Sequence, residues 1–164
     1  LTPDRTACQM AALAVRYFDN DSRIVDACCG TGQLTRALLL EGVHPSALLG
    51  FDADAELVDL YERLYPETAA LRMQFHEIDF RCENVIANPP FEIVECVYFL
   101  QWLSRTQRSG DRAVLLLSYG FIDKQRPKAV QETMRHFIIH HRTPMQEPFA
   151  RTACRAEIVV VERA

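Results

Sequence analysis

The sequence of 164 residues predicts a single α/β domain built on a doubly wound, seven-stranded sheet with the strand order 3-2-1-4-5-7-6. Short apolar runs alternate with amphipathic stretches, as is typical of parallel strands and the helices that cover them. The last two apolar runs are too close together for a helical crossover, so we expect an antiparallel hairpin at that end of a mostly parallel sheet. A chain of this length buries a full core, and residues 1–164 are interpreted as one domain.

The strands are predicted from the apolar runs, in chain order, at residues 24–28, 47–52, 71–78, 85–87, 113–117, 137–139 and 158–161. Asp52 closes the second strand and Asp79 closes the third. The carboxyl ends of parallel strands meet at one edge of the sheet, where ligands bind in open α/β folds. We therefore expect these two carboxylates near a common site.

The helices are predicted at residues 2–18, 34–41, 54–64, 92–106 and 124–136. Thr2 is the predicted N-cap of the first helix, with Pro3 at its first helical position. Asp54 is the predicted cap of the third helix. The apolar face of the first helix comprises Ala7, Met10, Ala11, Ala14 and Phe18. The fourth helix is expected to turn Val94, Val97, Tyr98 and Trp102 inward.

Composition excludes several classes of protein. Hydrophobic residues make up 49% of the chain and charged residues 24%, which are globular values, and no apolar run is long enough to cross a membrane. No signal-peptide pattern opens the chain. The six cysteines form no C-x-x-C pair, so we expect no zinc site but buried thiols in a reducing, cytoplasmic environment. We expect no metal at His140-His141 either, because neighbouring residues of a strand point to opposite faces.

Charge is distributed unevenly along the chain. Residues 1–100 hold 7 basic and 16 acidic side chains, whereas residues 101–164 hold 11 basic and 6 acidic ones. Nine of the late cations are arginine, which is well suited to phosphate. This asymmetry is compatible with an ordinary solvated surface, but it also favours a protein that approaches a polyanion such as nucleic acid with one face.

The run Asn88-Pro89-Pro90-Phe91 is the most informative motif of the chain. Two consecutive prolines donate no backbone hydrogen bond and fix φ near −65°, and they force the preceding residue out of the helical region. The result is a stiff turn after the fourth strand, with an amide side chain on one side and an aromatic ring on the other. Such a turn suits a planar group that bears an amino nitrogen.

A glycine turn follows the first strand, at Gly30-Thr31-Gly32. Glycine lets the backbone approach a ligand closely, and the next helix points its N-terminus at that ligand. Asp52 follows about 20 residues later, at the place where an acid can bind a ribose diol. The dinucleotide fingerprint G-x-G-x-x-G fails because Thr35 holds its third glycine position, and no phosphate loop of the Gly-Lys-Ser/Thr kind is present.

Taken in this order, the motifs resemble those of the amino-group methyltransferases that depend on S-adenosylmethionine, in particular the γ-class N6-adenine DNA methyltransferases. Residues 26–32 (Asp-Ala-Cys-Cys-Gly-Thr-Gly) are similar to the first family motif, residues 51–54 to the second and residues 78–80 to the third. Residues 88–91 resemble the catalytic motif, and Thr2-Pro3 the N-terminal one. Weaker similarities cover residues 118–121 and residues 148–152. The family has a Rossmann-like sheet, in agreement with the predicted fold.

The resemblance implies a role for each matching residue. S-adenosylmethionine would be held by Thr2, Pro3, Asp26, Cys28, Gly30, Gly32, Asp52, Ala53, Asp79 and Phe80. The catalytic turn would comprise Asn88, Pro89, Pro90 and Phe91. Within it, Asn88 and the Pro89 carbonyl would accept the hydrogens of the target amino group. Phe91 would stack on the target base, and Phe149 would cover its other face.

The expected function is therefore methyl transfer to N6 of adenine in DNA. Similar catalytic motifs also occur in methyltransferases of RNA bases, at guanine N2 or adenine N6, and of protein glutamine. A non-catalytic module that binds cofactor or nucleic acid is a further alternative. The family's target-recognition domain has no counterpart among these residues, so a separate specificity subunit or domain is an expected partner.

Overall fold

The structure, a computed structural model, describes residues 2–124, 127–147, 149 and 154–164. Its strands are β1 (Ile24–Ala27), β2 (Leu48–Asp52), β3 (Ala69–Arg72), β4 (Asn84–Ala87), β5 (Arg112–Ser118), β6 (Phe137–Pro144) and β7 (Ala156–Arg163). Its α-helices are α1 (Asp4–Tyr17), α2 (Gln33–Leu40), α3 (Ala55–Leu64), α4 (Ile93–Thr106) and α5 (Lys128–Met134), and single 3₁₀ turns span Pro45–Ala47 and Phe75–Glu77.

The seven strands form one sheet of order β3-β2-β1-β4-β5-β7-β6, which confirms the predicted topology. Strands β1 to β5 are parallel, and β7 pairs antiparallel with both β5 and β6. Strands β1, β2, β4 and β5 are largely buried on both faces, because helices cover the sheet from two sides, whereas the edge strand β3 is partly exposed. The carboxyl ends of β1, β2 and β4 consequently meet at one edge.

Alternate side chains of the central strands enter two separate cores. Ile24 and Leu48 pack with α1 and α2 on one face, whereas Val25 and Leu49 pack with α4 and α5 on the other. The five residues predicted for the apolar face of α1 are all buried, which confirms that prediction. No helix among the residues that the structure describes is long and apolar enough to cross a membrane.

The orientation of α4 differs from the prediction. Val94 and Tyr98 were expected to face inward, but they are 51% and 55% exposed. The helix meets the sheet through Cys96, Phe99, Leu100 and Leu103, with Val97 and Trp102 buried on its flanks. Val94 and Tyr98 lie four residues apart and therefore share one stripe on the opposite, solvent side. The prediction was right for Val97 and Trp102 and wrong for the other two.

The third strand is also shorter than predicted, and the prediction that Asp79 closes it is wrong. β3 ends at Arg72, and the chain then forms the 3₁₀ turn at Phe75–Glu77. The Ile78 carbonyl accepts a hydrogen bond from Trp102 Nε1 at 3.1 Å, and the Cys82 amide donates to the carbonyl of Thr106, the last residue of α4, at 3.0 Å. Because α4 runs back from the carboxyl edge of the sheet, this segment descends towards the amino edge.

The boundaries of the other helices and strands differ less from the predicted ones. The last helix is shorter than the predicted 124–136, and β6 is longer than the predicted 137–139, reaching Pro144. Residues 125 and 126 of that predicted helix lie outside the described residues.

Candidate active site

The carboxyl edge of the sheet brings together most of the predicted site residues. The glycine turn follows β1, Asp52 ends β2, Asn88 follows β4 and Ser118 ends β5. The register aligns Ala27 with Phe51 on one side and with Ala87 on the other, so the turns after these strands start at the same level. The parallel topology alone places these groups beside one another.

Left-handed backbone shapes the turn after β1. Cys28, Gly30 and Gly32 have φ values of 57°, 53° and 80°, and Cys28 is the one non-glycine residue with positive φ in the described part of the chain. A methyl group at Gly32 would overlap the ring of Tyr65, so this position requires glycine for space as well as for conformation. A methyl at Gly30 would meet no atom within 4 Å. Gly32 packs against protein, whereas Gly30 faces open space that a ligand can enter.

Asp52 links this turn to the next one. Its Oδ2 accepts from the Gly30 amide at 2.9 Å, and its Oδ1 accepts from the Asp54 amide at 3.0 Å. Asp54 in turn caps α3, accepting from the Glu56 amide at 2.9 Å, which confirms the predicted cap. The half-buried Asp52 carboxylate thus fixes the glycine turn and retains lone pairs for a ribose diol. Its role in binding cofactor, like that of the exposed Ala53, stays a prediction.

Asp26 lies beneath the turn, in the interior. It is 1% exposed, and its Oδ2 accepts from the amide of Thr35 at 3.1 Å and from the Thr35 hydroxyl at 2.7 Å. Its Oδ1 is buried without a hydrogen-bond partner. Burial raises the pKa of Asp26 to about 7, and the hydrogen bonds from Thr35 oppose this shift.

Thr35 explains why the dinucleotide fingerprint fails here. Its hydroxyl lies 2.7 Å from the hydroxyl of Tyr61, so the position of the third glycine holds a link from Asp26 to α3. Tyr61 fills the space above Gly50, where a Cβ would lie 2.7 Å from its ring. In the sequence Thr35 stands out only as a missing glycine, and the single hint of this network is a carboxylate, Asp26, nine residues before it.

The N-terminal segment reaches the catalytic turn. Thr2 was predicted to cap α1, but its hydroxyl instead accepts a hydrogen bond from Asn88 Nδ2 at 3.0 Å. Glu147 supplies the cap, because its Oε1 accepts from the amides of Arg5 and Thr6 at 2.9 and 3.3 Å. The capping prediction was therefore wrong, while the predicted proximity of Thr2 to the site is observed. Asn88 Oδ1 accepts no hydrogen bond from the residues described.

Two aromatic rings lie beside this turn. Phe91 and Phe149 contact each other edge to face, with centroids 5.2 Å apart and planes at 74°, and both pack against the α1 side of the core. A base stacked between the two rings would need them to be parallel and separated by twice the usual stacking distance. One ring must therefore move before a base can bind between them. Pro148 and residues 150–152 of the weak motif lie outside the described residues. The roles of Phe91 and Phe149 in holding the base stay predictions.

Asp79 and Phe80 are exposed and lie on the segment that descends to the amino edge. The residues that follow β3 at the carboxyl edge are instead Met73 and Gln74, and the Met73 amide donates to the Asp52 carbonyl at 3.0 Å. The predicted adenine contacts of Asp79 and Phe80 therefore have no support from their positions. This difference arises because β3 ends at Arg72, before the chain reaches Asp79.

An open groove of about 750 Å³ adjoins the catalytic turn. The start of α4 forms one wall, and the ends of β5 and of the segment before β7 form the other. Its lining comprises Phe91, Glu92, Ile93, Val94, Ser118, Tyr119, Lys124, Cys154 and Arg155. No group of three metal-ligating side chains occurs in the part of the chain that the structure describes.

Comparison with known proteins agrees with this geometry. The sequence profile of the methyltransferase domain family matches residues 24–117, which include the glycine turn, Asp52 and the catalytic turn. A curated carboxy-S-adenosyl-L-methionine synthase from Trichodesmium erythraeum is 33% identical over 95 residues, which is 56% of this chain and 36% of that protein. The chain thus spans about a third of this relative.

Two solved structures have the same fold at low sequence identity. A putative class I S-adenosylmethionine-dependent methyltransferase from Listeria monocytogenes superposes with a TM-score of 0.80 at 20% identity, over 100% of this chain and 61% of that one. A putative RNA methyltransferase from Pyrococcus horikoshii gives a TM-score of 0.73 at 20% identity, over 99% and 86% of the two chains.

Proposed function

The chain belongs to the methyltransferase domain family and uses S-adenosylmethionine as its cofactor, and on this basis we propose that it methylates the N6 amino group of adenine in DNA. One observation carries the proposal. Asn88 Nδ2 is held by the hydroxyl of Thr2, so the amide is oriented and its oxygen is left as an acceptor next to Pro89 and Phe91. An oriented acceptor beside an aromatic ring suits an amino group on a planar base.

The chemistry follows from the poor nucleophilicity of such an amine. Its lone pair is delocalised into the ring, and it becomes available when two acceptors draw on the two N–H bonds and favour a tetrahedral nitrogen. Asn88 Oδ1 and the Pro89 carbonyl are the proposed acceptors. A strong base is unnecessary, because the nitrogen becomes acidic once the methyl is transferred. Positioning of the amine against the sulfonium methyl supplies most of the remaining rate.

The cofactor is proposed to lie over Gly30 and beside Asp52. Gly30 leaves open space, and Asp52 has free lone pairs at the level where the ribose hydroxyls are expected. Bound S-adenosylmethionine supplies the electrophilic methyl group. Asp26, with its unpartnered Oδ1, is proposed to bind the amino-acid end, which requires this buried carboxylate to be reached from the glycine turn.

The target base is proposed to leave its duplex to reach this pocket. Extrusion costs a few kcal/mol, and stacking on an aromatic ring such as Phe91 returns roughly 1–3 kcal/mol. This cost is lower for a base that is already unpaired, so single-stranded substrate is expected to react faster than duplex.

RNA is the second candidate substrate, either at adenine N6 or at guanine N2. The fold likeness to the P. horikoshii protein, which is described as a putative RNA methyltransferase, favours it. Protein glutamine offers a similar planar amide and is the third. A purely binding module is disfavoured because Gly30, Gly32, Asp52 and Asn88 remain together at one edge. A separate specificity subunit or domain is proposed as the source of target recognition.

The purified chain, incubated with methyl-labelled S-adenosylmethionine and a cell extract, tests the proposal. Products are then digested separately with DNase, RNase or protease. Label released by DNase and recovered as N6-methyladenine is the expected result. Label recovered in RNA or protein would retain the mechanism and overturn the DNA substrate.

A further inference from the structure

The groove beside the catalytic turn contains two cations of the basic half of the chain. Arg112 pairs with Glu162, and Arg142 pairs with both Asp123 and Glu157. Lys124 and Arg155 line the groove, and neither side chain is paired with a carboxylate among the residues described. Two arginines of the basic half are thus neutralised by carboxylates, whereas the two cations of the groove keep their charge available for a ligand.

The groove wall that carries these cations is firmly held. The amide of Gly120 donates to Glu157 Oε1 at 3.2 Å, and the amide of Tyr119 donates to the Arg155 carbonyl at 2.9 Å. Arg142 Nη1 and Nη2 donate to the Asp123 carboxylate at 3.0 and 2.7 Å, and Glu157 is only 3% exposed. The turn after β5 is thus fixed to β6 and β7 through buried and bidentate contacts.

Tyr119 is 56% exposed on this fixed turn. A large aromatic side chain that projects from a rigid backbone into a groove offers a flat surface at little entropic cost. Phe91 presents a second ring at the other side of the same groove. Glu92 is the one acid among the described lining residues, and it is exposed to solvent.

We propose that this groove binds the polynucleotide strand that flanks the target base, with Lys124 and Arg155 contacting its phosphates and Tyr119 stacking on a neighbouring base. The inference rests on the proposed function, because it assumes that the amino group at Asn88 belongs to a nucleotide. Cations and aromatic rings in one groove are the combination that binds single-stranded nucleic acid without strong sequence preference. The ligand chemistry is a phosphodiester strand, whether deoxyribose or ribose.

Equilibrium binding of a short fluorescent single-stranded oligonucleotide tests the groove independently of turnover. The double variant K124Q/R155Q is compared with K128Q/R135Q, which removes the same charge from exposed positions on or next to α5, outside the groove lining. We expect K124Q/R155Q to bind about tenfold more weakly, with the slope of log K against log salt reduced by roughly 1.4, as two lost single-strand phosphate contacts require. The control should bind like the original protein.

Tyr119 is tested by the pair Tyr119→Ala and Tyr119→Phe. Loss of stacking should weaken binding about tenfold in the first variant, and the second should restore it because the ring is kept. Neither change should alter the salt slope, since the ring contacts no phosphate. Equal binding of both variants and the original protein would overturn the assignment of Tyr119.

Thiol protection gives a second readout in the unmodified protein. Cys8 and Cys154 are exposed, whereas burial raises the pKa values of Cys28, Cys82 and Cys96 to about 12 and also raises that of Cys29. Alkylation at neutral pH should therefore select the two exposed thiols. Added oligonucleotide should slow alkylation of Cys154, in the groove, and leave that of Cys8 unchanged.

The outcomes separate the two proposals. Equal binding by K124Q/R155Q and its control, absence of binding by the original protein at low salt, or equal protection of both thiols would overturn the groove assignment. Asn88→Ala should bind the strand normally but transfer no methyl. Methyl label found only in protein would overturn the nucleotide substrate itself. Parallel titrations with deoxyribose and ribose strands show which of the two binds more tightly.

Discussion

Asn88 Nδ2 donates a hydrogen bond to Thr2 Oγ1 at 3.0 Å, joining the start of the described chain to the turn after β4. The hydroxyl of Thr2 is available because Glu147 caps α1 in its place. A residue expected to serve helix stability thus orients the amide on which the proposed chemistry depends. Thr2 is a positioning residue in this account.

Thr2→Val removes the hydroxyl while keeping the shape of the side chain. We expect the rate of methyl transfer to fall by about tenfold or more, because misplaced reacting groups lose rate steeply. Thr6→Val is a matched control, since Thr6 Oγ1 is buried without a hydrogen-bond partner and its loss should not destabilise the protein. Single-turnover rates and melting temperatures distinguish the two variants. Equal rates would show that the contact with Asn88 has no catalytic importance.

The two glycines of the turn after β1 should respond differently to alanine. Both have positive φ, which costs a residue with a Cβ roughly 1–2 kcal/mol. Gly32→Ala should destabilise the protein further, because the methyl overlaps Tyr65. Gly30→Ala should show only the conformational cost but lose affinity for S-adenosylmethionine, since its methyl enters the open space. Urea unfolding and calorimetric titration measure the two effects, and the reverse ranking would contradict this geometry.

Asp26 should make stability depend on pH. Its pKa in the folded state, about 7, lies above the ordinary value of 3.8, so folding favours the protonated form. The stabilisation that protonated Asp26 adds to the free energy of unfolding is fully present below about pH 4. It is lost as pH rises to about 7, and the total loss is on the order of 4 kcal/mol. Asp26→Asn should therefore gain stability relative to the original protein as pH rises through this range. If the original protein and Asp26→Asn gave parallel profiles of unfolding free energy against pH, Asp26 would be ionised in the folded protein throughout this range, which would contradict the raised pKa.

Sequence reasoning reached the sheet order and the main turns because local chemistry determines them. Two prolines after an apolar run, and glycines after another, leave few conformations open, so the turns at Asn88 and Gly30 were predictable. The network of Asp26, Thr35 and Tyr61 was not predictable, because it depends on how three separate elements pack together, and local sequence does not determine that packing. The capping of α1 by Glu147 was not predicted for the same reason, since the two groups are 142 residues apart in the sequence.

The error at the third strand has a different cause. Leu71, Met73 and Phe75 alternate as in a strand, and all three pack against the same core. Alternation records which side chains are buried, but it does not show that the chain leaves the sheet after Arg72. The prediction that Asp79 lies at the end of this strand depended on the strand boundary, so it was wrong for the same reason.

The ion pairs of Arg142 yield a stability prediction. Glu157 is 3% exposed and accepts from Arg142 Nε at 3.0 Å, so Arg142→Met leaves a buried carboxylate without its charged partner. We expect a loss of about 3–5 kcal/mol in unfolding free energy. Asp123→Asn, at the exposed end of the same network, should cost much less, because ion pairs at the surface contribute little to stability. Denaturant titration of both variants is the measurement, and a larger loss for Asp123→Asn would contradict the importance of burial.

The most direct test of the central claim is the single-turnover rate of Asn88→Ala, measured together with its affinity for S-adenosylmethionine. Removal of an oriented acceptor should lower the rate by about 100-fold or more. The dissociation constant for the cofactor should stay within about twofold, because Gly30 and Asp52 are unchanged. A rate close to that of the original protein, or a loss of cofactor binding equal to the loss of rate, would contradict the role assigned to Asn88.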